Sequence, residues 1–462
     1  MTAGLQHHFD LPPLTIRIGA SVAGLADADI PAGVAATFRR GLVDYVGVLI
    51  AGSSEPVVGR VRDALGFLGP DEARLLPGGV RCSARHAALI NGVAGHVLDF
   101  DDVALDGHPS AVLVPALLAE AEAVGGTNAD LLRGYVAGYE TWAALWGASP
   151  EPLHSRGWHP SGVFGTVAAA AACAALRHLP ERQAANALGL AAAQASGLLA
   201  NFGTMAKSFQ IGRAAEAGLL SARLAAWDVD ASPEVFEHKS GFLRAFAGGS
   251  RAISGGFGKP DWAILTEGLD IKTYPVCYAT LRLVDAALQL KRDEQLSIKE
   301  IAAIDLRLGR IQSEILHSQR PQTVLEAKFS CEFAVASALV FGAVGLVQLK
   351  EELVRRDDIQ SLIGRTTRIL DPEIGVAPFS PFDQVTLRLS DGRVVKSWPV
   401  THASGSRHTP PGREEARAKF EDATRGHLSV DGIARLFDAL WDLDPGKTVA
   451  GLLDETGLGA SQ

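Results

Sequence analysis

Much of this chain repeats apolar residues at helical spacing and is built largely from alanine, as in Thr166-VAAAAACAAL-Arg177. Alanine is the best helix former, and its small side chain lets helix axes approach closely. Segments with helical periodicity fall at 35–50, 83–100, 112–123, 129–145, 163–176, 181–199 and 214–227, with Gly, Pro or Ser at the breaks. This pattern predicts a compact helical bundle over most of residues 15–230.

The texture changes after about residue 268. Residues 302–309 (AAIDLRLG) alternate, with Ile304, Leu306 and Leu308 on one face. Residues 383–400 read as two strands joined through Ser390-Asp391-Gly392, and an Asp-Gly step is a hairpin signal. Helical stretches at 278–290 and 327–349 accompany them. After Pro410-Pro411 the chain returns to helix at 414–423 and 430–440. The expected fold is mainly α. A helical domain takes residues 1–268 and is completed by 405–462, and an α+β lid domain is inserted at 269–404.

With 462 residues, 47% of them hydrophobic and 21% charged, the chain has ample material for a buried core and no case for disorder. A formal net charge of −9 argues against nucleic acid as a partner, because such binding needs a basic surface to displace counterions. It leaves room for a local basic pocket. Cys82, Cys173, Cys277 and Cys331 are scattered and form no CxxC pair, so neither a zinc site nor a disulfide framework is signalled. Scattered thiols fit a reducing compartment. The start of the chain shows no basic region followed by an apolar stretch. The apolar run at 333–347 is shorter than the roughly 18 residues a membrane helix needs, and it reads as a buried helix. A cytoplasmic protein with no membrane partner is expected.

Several motifs are missing. There is no GxGxxG, no GxxxxGK[ST], no GxSxG and no HExxH. The glycine-rich stretch at 255–259 lacks the upstream glycine of a phosphate loop and reads as a turn. The acidic run Asp99-Phe100-Asp101-Asp102 with Asp106 would place three carboxylates on one face if it were helical, as in magnesium-dependent terpenoid synthases. Those need a second acidic motif, which this sequence lacks. A helix end whose acids cap turns would explain one or two of these residues, though not the FDD run followed closely by His108-Pro109.

Four polar blocks interrupt otherwise apolar sequence where helices are expected to start or stop, the places where a helical scaffold presents side chains to a cleft. They are His96-VLDFDD to Gly107-His108-Pro109-Ser110, Gly157-Trp158-His159-Pro160-Ser161, Asn201-FGTMAKSFQIG-Arg213, and Ile271-Lys272-Thr273-Tyr274-Pro275-Val276-Cys277-Tyr278-Ala279-Thr280. Together with Glu326-Ala327-Lys328-Phe329-Ser330 and Lys419-Phe420, they resemble the MmgE/PrpD family. That family includes 2-methylcitrate dehydratase, cis-aconitate decarboxylase and iminodisuccinate epimerase. The resemblance implies a helical domain with an α+β lid, a homodimer, and chemistry on small di- or tricarboxylates without metal or other cofactor. The matching active-site positions are Asp99, His108, His159, Lys207 and Lys272. The chain departs from the family pattern at Val103 (often Thr), Gln210 (often His), Tyr278 and Leu281 (often Arg and His) and Phe333 (often Tyr).

Dehydration, decarboxylation and epimerisation of such acids all move a proton at carbon next to a carboxylate, and histidine titrates in the range this needs. His108 and His159 are therefore expected to transfer protons. Asp99 would orient a histidine, set its charge or act as a base. Lys207 and Lys272 would bind carboxylates and stabilise enolate-like charge, with Arg213 either adding to that field or lying at the surface. Structural alternatives are an exposed helix-start lysine at 207 and a helix-capping role for His159. His7, His8, His154 and His408 read as surface residues. Closure of the lid would exclude water from the site. The expected function is a cofactor-independent lyase on a small polycarboxylate, with an epimerase or a non-catalytic polycarboxylate-binding protein as alternatives.

Overall fold

The computed structural model describes residues 11–458 except 68, 254–255, 259–260, 296 and 372–379. His7, His8 and parts of the glycine-rich stretch at 255–259 lie outside the described residues.

The alanine-rich segment forms the helix Pro160–Leu176, and every residue of it is buried. A helix apolar on all sides must be enclosed. This one packs against the helices Pro109–Val124, Asn128–Ala148, Glu181–Ala192 and Met205–Ala226. The resulting core runs from Leu14 to Ile271 and is completed by Phe420, Ile433, Leu436, Phe437 and further residues up to Leu458. A second core draws on Val276 to Ala403. It is built on a four-stranded sheet in the order Thr366–Asp371, Ile301–Gly309, Gln384–Leu389, Val394–Lys396. The first pair is parallel and the others antiparallel. Ile304, Leu306 and Leu308 are fully buried on one face, as the alternation predicts. The helices Leu281–Glu294 and Cys331–Phe341 pack on each other over this sheet. The chain is thus mainly α with a smaller α+β region. Among the described residues no single helix is long and apolar enough to cross a membrane.

Three of the expected boundaries that move lie near the site. The helix expected over 83–100 is Ala84–His96 and stops there. Residues 97–108 form an irregular loop in which Asp99, Leu105 and Asp106 have positive φ. Asp99, Asp102 and Asp106 therefore share no helix face. The helix expected to start at 214 starts at Met205, with the Thr204 side chain accepting from the Ala206 N–H as its cap, so Lys207 stands in the first turn. The helix expected to run to 199 ends at Ala192. The edge strand Thr366–Asp371 escapes the sequence pattern because Ile369 and Leu370 are exposed and its apolar residues do not alternate. The 327–349 segment is helical only over Val324–Ala327 and Cys331–Phe341.

The helices Ala84–His96 and Met205–Ala226 meet at glycine on glycine. A Cβ at Gly92 would lie 2.9 Å from the Gly212 Cα, and one at Gly212 would collide with the Leu89 carbonyl. This close crossing sets the height of Lys207 over the end of the first helix. Gly212→Ala is expected to cost about 1–3 kcal/mol through overpacking. It should lower Tm by several degrees and reduce activity as Lys207 shifts, and calorimetry with initial rates checks both.

Candidate active site

The site is organised around three consecutive carbonyls. Lys328 Nζ donates to Leu98 O at 2.8 Å, Lys272 Nζ to Asp99 O at 2.8 Å, and Lys419 Nζ to Phe100 O at 2.8 Å. These lysines come from widely separated parts of the chain. Asp99 sits in the left-handed region with φ of 53°, a conformation that costs a non-glycine residue free energy. The charged hydrogen bonds on either side hold it there.

Asp99 Oδ1 receives both Lys207 Nζ and Lys272 Nζ at 2.9 Å. Burial alone would raise the Asp99 pKa, but Lys207 and Lys272 outweigh it and hold the carboxyl well below the ordinary range. Burial likewise opposes the Lys272 ammonium, and Asp99 more than offsets it, so that its pKa rises. Lys419 also pairs with Asp44 at 2.5 Å. Burial pushes Asp44 up to about 6 despite that partner.

Asp101 serves two imidazoles. His96 Nδ1 lies 2.9 and 3.0 Å from its oxygens, and His108 Nδ1 lies 3.0 Å from Oδ2 and 2.9 Å from the Asp102 carbonyl. Both Nδ1 atoms face acceptors, so both carry hydrogen. His96 and His108 hold Asp101 well below the ordinary carboxylate range against its burial. The His96 ring is pulled down to about 4, mainly by burial, so it is neutral at pH 7 with its lone pair on Nε2. That atom is buried without a partner among the described residues. Burial drives Asp102 well up, and it accepts from the Ser110 N–H and hydroxyl.

His159 occupies the residue before the Pro160 helix, but its side chain makes no capping bond. Instead its Nδ1 lies 3.0 Å from Gln210 Nε2. The Leu198 N–H donates to Gln210 Oε1 at 2.6 Å and so fixes the amide orientation. The amide nitrogen then donates to Nδ1, and the neutral imidazole carries its proton on Nε2. Burial, followed by Lys207, holds this ring well below the usual histidine range. Its Nε2 is also buried without a partner among the described residues. The His96 and His159 ring centres are 6.4 Å apart, and those of His96 and His108 are 4.5 Å apart.

Asp99, His108, His159, Lys207 and Lys272 thus gather in one cluster. A cavity of about 680 Å³ opens beside it, lined by His96, Asp99, Lys207 and Lys328 among others. His108, His159 and Lys272 do not line this cavity; they neighbour Asp99 or His96, which do. Lys207 is 9% exposed, which is not the exposed helix-start lysine of the structural alternative. Arg213 does not join the cluster; it pairs with Glu216. His154, expected at the surface, is half-buried, and burial pulls its ring down while His108 and Lys207 push the same way and Asp106 resists. His408 is exposed. The sequence reading assigned no role to His96 or Asp101, although both lie within its first block. The signal was adjacency in the motif, but a spacing of five residues pairs nothing on a helix, and the two meet only because the helix ends at His96.

His96, Asp99, Asp101 and His108 offer ligand atoms within 4.8 Å of one another, close enough for a divalent cation. Their donors are already committed. Asp99 accepts two ammonium groups and Asp101 two imidazole N–H groups. A dication there would face Lys207 and Lys272 directly, so this set fits proton handling better than a metal. Asp99→Asn leaves two buried ammonium groups without their counter-charge and is expected to destabilise the protein by about 3–5 kcal/mol. Because the folded Asp99 pKa is lowered from 3.8, its contribution is complete above that value and is lost as pH falls below it. Thermal melts of the two proteins should therefore differ fully above about pH 4 and draw together progressively as pH falls below it.

Comparison with known proteins identifies the family. Residues 17–253 match the MmgE/PrpD N-terminal domain and residues 274–443 the MmgE/PrpD C-terminal domain. The cis-aconitate decarboxylase of Mus musculus is 24% identical over 460 residues, covering 96% of this chain and 94% of the relative. That of Homo sapiens is 25% identical over 376 residues, covering 79% and 78%. That of Aspergillus terreus is 26% identical over 413 residues, covering 82% and 81%. With both domains matched along most of its length, the chain belongs to the MmgE/PrpD family.

Proposed function

We propose that this chain is a cofactor-independent lyase that removes CO₂ or water from a small polycarboxylate at carbon next to a carboxylate. The observation that carries this reading is the pairing of two buried, neutral imidazoles with free Nε2 atoms, His159 as donor and His96 as acceptor, beside ammonium groups gathered on Asp99. Lys207 and Lys272 bind substrate carboxylate and stabilise the charge that develops on it. In a decarboxylation the C–C bond to the departing carboxylate breaks, its electron pair stays on carbon, and a proton arrives from an imidazole that has first gained one from solvent and returns to neutral. In a dehydration one imidazole takes the α-proton and another group protonates the leaving hydroxyl. His108, tied to Asp101 with its Nε2 4.0 Å from Asp99 Oδ1, links the carboxylate pair to this proton traffic. The cis-aconitate decarboxylase names of the relatives favour an unsaturated tricarboxylate as substrate. Phe333, where the family often has Tyr, is fully buried in the second core and supplies no hydroxyl to the site.

Incubation in D₂O with cis-aconitate, 2-methylcitrate or iminodisuccinate, followed by NMR, tests the reading. Loss of a carboxylate marks a decarboxylase and appearance of an alkene marks a dehydratase. Deuterium exchange without elimination would replace the lyase reading with epimerisation, and silence with all three would reject these substrates. His159→Ala is expected to lower kcat by about 10²–10⁴ with little change in KM. Lys272→Ala should raise KM and lower kcat together. Dialysis against a chelator should leave the rate unchanged.

A further inference from the structure

Four lysines meet at the loop around Asp99, and one of them differs from the rest. Lys207 and Lys272 pair with Asp99, and Lys419 pairs with Asp44. Lys328 follows the Val324–Ala327 helix, is 7% exposed, and has only the Leu98 carbonyl as a hydrogen-bond partner among the described residues. It makes no ion pair among them. An ammonium has three N–H donors, so two are left for another group. Burying a cation without a counter-charge is costly, and a fold that does so has a place for an anion. The backbone holds Lys328 in position, since its carbonyl accepts from the Cys277 N–H at 2.8 Å in the segment that also carries Lys272. Lys328 lines the same cavity as Asp99, Lys207 and His96.

We propose that Lys328 binds a substrate carboxylate and makes the site select tricarboxylates over dicarboxylates. The proposal rests on the polycarboxylate reading above and adds the residue that counts the third carboxylate. Lys207 and Lys272 already share the charge of Asp99, whereas Lys328 has no ion-pair partner among the described residues. Its chain position supports the same role, because it brings a cation to the cavity from the second core while Lys207 comes from the first. Burial lowers Lys328 to about 8, against the pull of Asp99 and Glu55 and with Lys207 and Lys272 pushing the same way. His96, on the same wall, is neutral in this range.

Calorimetric titration of the full chain with tricarballylate and glutarate tests this. Neither compound has a bond placed to react, and they differ by one carboxylate. Lys328→Gln should weaken tricarballylate binding about 10- to 100-fold and change glutarate binding little. Lys328→Arg should restore most of the loss. Wild-type affinity for tricarballylate should fall as pH rises through about 8, and the arginine variant should lose that limb. Removing an unpaired buried charge should not lower the ligand-free Tm, and Lys328→Met carries the same readout if the glutamine variant folds poorly. Equal tricarballylate binding by wild type and Lys328→Gln, or equal losses for both ligands, overturns the assignment. Lys328-dependent binding without turnover of any polycarboxylate sinks the lyase reading and leaves this one standing. No binding by wild type overturns both.

Discussion

The structure depends on ammonium groups closing around one short loop. Leu98, Asp99 and Phe100 expose consecutive carbonyls, each taken by a lysine from a different part of the chain. A loop of this kind, with a left-handed aspartate and buried carbonyls, could not persist if those groups were left unbonded. Lys272 and Lys419 in turn could not be buried without the carboxylates of Asp99 and Asp44. Scaffold and site therefore share the same bonds, and the lysines that hold the loop also line or back the cavity.

For the proposed lyase, this arrangement supplies proton donors and acceptors without unusual side chains. Two carboxylates are kept ionised by cations and imidazole N–H groups, and two imidazoles are kept neutral by burial. The pKa values of the acids and the rings are pushed in directions that separate donors from acceptors. Gln210 fills the place of a histidine often found in relatives. It is not a lost function at that position, because its amide determines which nitrogen of His159 carries the proton. The same substitution leaves one titrating group fewer beside His159.

The helical bundle was legible in the sequence because alanine-rich segments carry their own period and can only be stable when enclosed. The Ile301–Gly309 strand and the Gln384–Leu389 to Val394–Lys396 hairpin were legible from alternation and an Asp-Gly turn. Where the pattern carries the helix expected from residue 83 on to residue 100, it misleads, because the helix ends at His96. Nothing local reports that lysines from residues 272, 328 and 419 will bond the carbonyls that follow. The edge strand Thr366–Asp371 was missed for a similar reason, since its pairing with Ile301–Gly309 is a long-range backbone match.

Residue by residue, the sequence determined which chemical groups were available: paired histidines and lysines, an acidic run, and helix ends to carry them. The roles of His96, Asp101 and Lys328 were decided only by the tertiary structure. Protonation, tautomer and net charge are set by neighbours within a few ångströms, and those neighbours lie far away along the chain, as in Lys419 and Phe100, 319 residues apart. A linear pattern specifies what each segment prefers by itself. It does not specify which buried cation will be left without a counter-charge, because that depends on how all the segments close on one another.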